Sequence, residues 1–135
     1  ETISRWTPYK NDISTVISRV PEFLAAVEAV VSENYPQFEI IWFGHIGDGN
    51  VHLNVLKPDD LSMKDFQQHC TEVSKWVFDI VQHYGGSISA EHGVGLLKKD
   101  YLHYSRSELE VSIMRQIKKV FDPHGIMNPG KIFDI

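Results

Sequence analysis

The sequence predicts an α+β fold, a ferredoxin-like split β-α-β antiparallel sheet with helices on one face, followed by a C-terminal helix and tail. Three observations lead there. Strand-like and helix-like segments follow one another in the order β-α-β-β-α-β. Apolar residues recur at helical spacing over 19–34 and again from Phe66 to Ile80, but alternate strictly over 51–56. Gly47-Asp48-Gly49-Asn50 is a strong turn signal between the two middle strands.

The elements follow in order. Residues 9–16 read as a short strand. Ser18 is placed to cap a first helix, with Pro21 tolerated in its first turn. Val20, Phe23, Leu24, Val27, Val30 and Val31 give that helix, about 19–34, an apolar face. Residues 38–45 are aromatic and β-branched, which favours a strand. Beyond the turn, Val51, Leu53 and Val55 point to one face and His52 and Asn54 to the other. Pro58 ends this strand.

Ser62-x-x-Asp65 resembles a capping box, and Phe66, Cys70, Val73, Val77 and Ile80 carry a second long helix to about residue 83. Gly85-Gly86 stops it, and residues 87–90 read as a fourth strand. In this arrangement the first and third strands are central and the fourth lies beside the first. Glu91-His92-Gly93-Val94-Gly95 is a glycine-punctuated loop. Ser107-x-x-Glu110 caps a last helix, with Val111, Met114, Ile117, Val120 and Phe121 expected to face inward. Asp122-Pro123 breaks it, and Asn128-Pro129-Gly130 turns the chain into a tail.

Composition narrows the function. The chain has 135 residues, one domain at roughly 100–200 residues each, and needs no disulfide to bury a core. Its net charge of −5 and the lack of a Lys/Arg cluster argue against nucleic acid. One cysteine, Cys70, excludes a disulfide framework and any CxxC metal site, and fits a reducing compartment. No apolar run reaches the ~18 residues of a membrane span, and no signal-peptide pattern is present. The expected setting is cytoplasmic, with peripheral contact to the inner membrane a further expectation for a longer enzyme. The chain opens on Glu1-Thr2 without Met, and the expectation is that it is cut from a longer one.

Seven histidines are the unusual count. His69, His83, His103 and His124 read as structural or solvated. His45 and His52 flank the hairpin turn, and antiparallel pairing brings them near each other. Alone, such a pair is more often two exposed side chains than a metal site. Glu91 changes this, provided that its loop folds over the sheet, which Gly93 and Gly95 permit. Two imidazoles and a carboxylate leave coordination positions open, the pattern of catalytic zinc and equally of non-haem Fe(II). His92 would then stand beside the ion, free to take a proton or to serve as a fourth ligand.

Three segments resemble a known family. Gly44-His45-Ile46-Gly47-Asp48-Gly49-Asn50-Val51-His52-Leu53-Asn54 is similar to the GHxGDGNxHxN signature of the FAD-linked oxidase C-terminal domain. Residues 89–95 resemble its SxEHGxG segment, and residues 122–131 its closing DPxGIxNPGK. All three occur in the family's order, closest to the branch of D-2-hydroxyglutarate, D-lactate and glycolate dehydrogenases in the vanillyl-alcohol oxidase superfamily.

The resemblance implies FAD as cofactor and a divalent metal, usually zinc, held at His45, His52 and Glu91. It implies His92 as catalytic base and Asn54 as a substrate contact. Tyr9-Lys10-Asn11-Asp12-Ile13-Ser14 resembles the YKxDxS segment, whose lysine, here Lys10, helps bind the substrate carboxylate. Asn128 sits in a turn that the resemblance directs toward the flavin domain.

The family's FAD-binding domain is N-terminal and absent from this sequence, as are the Arg and Thr that complete the carboxylate pocket. Residues 1–135 therefore read as the C-terminal part of a substrate- and metal-binding domain. Its partners would be its own FAD domain and a small 2-hydroxy acid, with the electron acceptor open. The implied reaction is oxidation of a D-2-hydroxy acid to the 2-oxo acid, with hydride passing to FAD. A glycolate oxidase subunit or a D-lactate dehydrogenase serving quinone or cytochrome is the near alternative. A stand-alone ferredoxin-like module that binds metal or a small acid is the distant one.

Overall fold

The computed structural model describes residues 8–135; the opening Glu1-Thr2 lies outside them. Strand β1 (Pro8–Ser14) leads to helix α1 (Val20–Asn34), then strands β2 (Glu39–His45) and β3 (Asn50–Leu56), helix α2 (Met63–His83) and helix α3 (Glu108–Phe121). The strands form one antiparallel sheet in the order β1-β3-β2. No helix among the described residues is long and apolar enough to cross a membrane.

The alternation in β3 sets the two faces of the sheet. Ile13, Val51, Leu53 and Val55 are buried against Phe23, Val27 and Val31 of α1 and against Phe66, Val73 and Val77 of α2. Because cross-strand partners share a face, the register Asp12↔His52↔Phe43 puts these three on the opposite side. Lys10↔Asn54 and Asn50↔His45 join them there. The α+β reading with helices on one face therefore holds, and the other face carries the polar residues.

Three local expectations differ. The fourth strand is a single bridge, Ser14↔Ser87, beside β1 where it was expected. Ser87 Oγ donates to the Ser89 carbonyl at 2.9 Å, and Ile88 N–H donates to Ser105 Oγ at 2.8 Å. These side-chain bonds compete with a ladder and turn the chain away. Ser18 does not cap α1. It lies in a 3-10 turn, Ile17–Arg19, that runs directly into the helix, so the first amide of α1 finds the Ile17 carbonyl.

The turn between β2 and β3 forms where the sequence signals it. Ile46–Asp48 form a 3-10 turn closed by Gly49 in the left-handed region (φ 77°). Gly49 also presents its carbonyl to Thr15 N–H at 3.1 Å, and a Cβ there would strike the Thr15 carbonyl. In α3 the capping box forms as expected, with Glu110 Oε2 accepting Ser107 N–H at 2.7 Å. Its apolar stripe is not turned inward. Val111 is buried and Met114 partly so, but Ile117, Val120 and Phe121 are exposed, the last by 75%. Spacing identifies an apolar stripe but not what covers it.

Candidate active site on the open face of the sheet

Strict alternation delivers Lys10 and Asp12 from β1, His52 and Asn54 from β3, and Phe43 from β2 to one surface. The loop after Ala90 folds across it, with Gly93 and Gly95 in the left-handed region. The result is a cavity of about 600 Å³ lined by Lys10, Asp12, Phe43, His52, Asn54 and Glu91, with His92 and the 93–98 segment as its other wall.

Asp12, only 6% exposed, lies at the junction of sheet and loop. Its carboxylate accepts the backbone N–H of His92 at 2.9 Å, that of Glu91 at 3.1 Å, and Ser89 Oγ–H at 3.2 Å. His92 Nδ1 stands 3.6 Å from it and His52 Nδ1 3.9 Å. Burial pushes the Asp12 pKa up, but the two backbone donors, with the charges of Lys98 and His92, outweigh burial and hold it below the usual carboxylate value. Lys98 Nζ donates to the Asp12 carbonyl at 3.1 Å and to the Ile88 carbonyl at 2.5 Å. Burial lowers its pKa against the opposing pull of Asp12.

The expected residues fall into two groups. Lys10, Asn54, His52, Glu91 and His92 all border the cavity. The His52 ring stacks on Phe43 with centroids 4.9 Å apart and lies 5.8 Å from the His92 ring. Asn54 is 1% exposed, and both its amide nitrogen and its amide oxygen lack a partner. That is a costly state for a buried amide, and it presents a donor and an acceptor toward the cavity side of the sheet.

His45 stands beside this group, outside the cavity wall. It pairs in register with Asn50, one step along the same face from His52. Its Nδ1 lies 2.9 Å from Glu91 Oε1, so the loop does bring Glu91 to the hairpin. Asn50 also donates a hydrogen bond to Glu91.

His52 does not join the His45–Glu91 pair, and among the described residues no three His, Cys, Asp or Glu side chains gather to hold a metal ion. The donor set still suits one chemically: two imidazoles and a carboxylate on one face. Asn128 is exposed in a left-handed turn (φ 50°) and borders a different cavity with Lys118 and Ile132.

Sequence reading missed three residues. Asp12 shares the parity of Lys10, and Asn50 that of His52 and Asn54, so alternation alone marks both. Nothing in the sequence marks Lys98, whose partners are backbone carbonyls distant in the chain.

Comparison with known proteins gives one consistent result. The family described as FAD linked oxidases, C-terminal domain, matches residues 2–132. D-2-hydroxyglutarate dehydrogenase of Stutzerimonas stutzeri is 64% identical over 98% of this chain and 29% of its own length. The enzyme of the same name from Xanthomonas citri pv. viticola is 54% identical over 99% of the chain and 28% of its own length. D-lactate dehydrogenase of Anaerostipes hadrus is 36% identical over 90% and 25%. The chain thus spans under a third of the length of these relatives. With the hairpin, the Glu91–Gly95 loop and the closing turn all inside the matched span, the chain belongs to the C-terminal domain family of the FAD linked oxidases.

Proposed function

We propose that residues 1–135 are the C-terminal part of the substrate domain of a flavin-dependent dehydrogenase that oxidises a D-2-hydroxy acid, D-2-hydroxyglutarate first among them. One observation carries this reading. Asn54, buried with an unpartnered donor and acceptor, shares a cavity with the Lys10 ammonium and the His92 imidazole. A 2-hydroxy acid has the matching groups, an anionic carboxylate and a hydroxyl with a proton to lose. Family membership and the names of the two D-2-hydroxyglutarate dehydrogenases support the choice of substrate.

In this reading Lys10 offers a point charge to the carboxylate. Asn54 donates from its amide nitrogen to a substrate oxygen and accepts at its amide oxygen. His92, whose Nδ1 faces Asp12, takes the hydroxyl proton at Nε2. FAD, bound by a further N-terminal domain, supplies the hydride acceptor. Asn128 is proposed as a contact to that domain.

A divalent cation, zinc in the first instance, is proposed to be held by His45, Glu91 and His52, where it would lower the hydroxyl pKa. The support is the donor chemistry and the His45–Glu91 contact. His45, His52 and Glu91 are the side chains that would hold such a cation.

Steady-state assays of the whole protein with D-2-hydroxyglutarate, D-lactate and glycolate test the reaction. Flavin-dependent turnover of at least one is expected. Binding of the acids without turnover would instead favour a binding module. Elemental analysis, with His45→Ala and Glu91→Ala as controls, tests the metal, and no metal in the active wild-type protein refutes that part alone.

A further inference from the structure

The loop that carries Glu91 and His92 is held at both ends by one residue of β1. At its start, the Asp12 carboxylate accepts Ser89 Oγ–H and the backbone N–H groups of Glu91 and His92. At its end, Lys98 reaches back to the Asp12 carbonyl and also binds the Ile88 carbonyl. Asp12 itself is fixed, since its main chain lies in the β1–β3 ladder opposite His52 and its side chain is buried. Between these ends the Glu91 carboxylate meets His45 and Asn50 and the Gly95 carbonyl accepts Ile132 N–H, while the backbone amides of Glu91 and His92 are held by Asp12 alone among the described residues and Leu97 is 91% exposed.

A buried carboxylate with three convergent donors is a charge-assisted tie, stronger than a neutral hydrogen bond. We infer that Asp12, with Lys98, is a positioning residue that fixes the backbone of Glu91 and His92 over the open sheet face and so sets where their side chains meet substrate. The inference rests on the roles proposed above for His92 and Glu91, but the clamp itself is independent of the reaction.

The test uses the whole protein with flavin bound, as wild type, Asp12→Asn and Lys98→Met. An asparagine keeps one acceptor oxygen but turns an N–H₂ toward the loop amides. Hydrogen exchange over residues 89–95 reads the clamp, and steady-state kinetics on the preferred 2-hydroxy acid read its consequence.

Faster exchange confined to this segment is expected in both variants. In Asp12→Asn, kcat is expected to fall by about 100-fold, as displacement of a catalytic group by an ångström does, with KM changed less than about threefold. A generally destabilised protein would instead lose protection throughout and would not separate kcat from KM. Unchanged exchange in 89–95 overturns the inference, as does faster exchange with kcat retained. If Asp12→Asn does not fold, Lys98→Met decides by the same criteria. If the wild type oxidises no 2-hydroxy acid, the proposed function fails while exchange alone still decides the clamp.

Discussion

At the scale of single residues, burial distinguishes a polar group without partners from an apolar one packed in the core. Asn54 has both amide atoms buried without partners, a burden of about 1–3 kcal/mol per unsatisfied group. Asn54→Leu, close in size and apolar, should leave thermal stability unchanged or raise it. The same change should raise KM for the 2-hydroxy acid by about 10–100-fold, since each lost hydrogen bond to a charged group is worth about 1.5–3 kcal/mol. A fall in stability with KM unchanged would count against the assignment.

Cys70 is the opposite case. It is fully buried in the core between α2 and the sheet, and burial pushes its thiol from 9.0 up to about 12. The folded state then holds the proton more tightly than the unfolded one. Stability from this group is present below pH 9 and declines as pH rises from there toward 12. A thiol reagent at pH 8 should label Cys70 only on unfolding, and stoichiometric labelling of native protein would contradict this.

At the scale of elements, the sequence showed what each segment is more fully than what lies against it. The Ser107–Glu110 box forms as its spacing predicts, so Ser107→Ala should cost about 1 kcal/mol in a denaturant titration. No measurable cost would mean that α3 is held by contacts other than its cap. Alternation in β3 also placed His52 and Asn54 on the face that carries the cavity. Legibility failed where the deciding partner is remote in the chain. Residues 87–90 have strand composition, yet Ser105 Oγ takes the Ile88 amide. Ile117, Val120 and Phe121 have core spacing, yet nothing among the described residues covers them. Lys98 reads as a surface lysine because backbone carbonyls carry no sequence label.

At the scale of the molecule, the sheet has two unlike sides: the helix side buries the core, and the open side carries the cavity proposed to take the substrate. Expressed alone, residues 1–135 should neither retain FAD nor turn over substrate. A flavin-loaded, active preparation of this chain alone would contradict the division of labour proposed with an N-terminal domain.

His92 is proposed as the base on this open face. The most direct test of that role is anaerobic reduction of the flavin by D-2-hydroxyglutarate in the whole protein, wild type against His92→Ala. Rapid bleaching is expected of the wild type and a rate lower by about 10²–10⁴-fold of the variant, with flavin content and substrate affinity largely kept. Equal rates in the two proteins, or no reduction of the wild type by any 2-hydroxy acid, would contradict it.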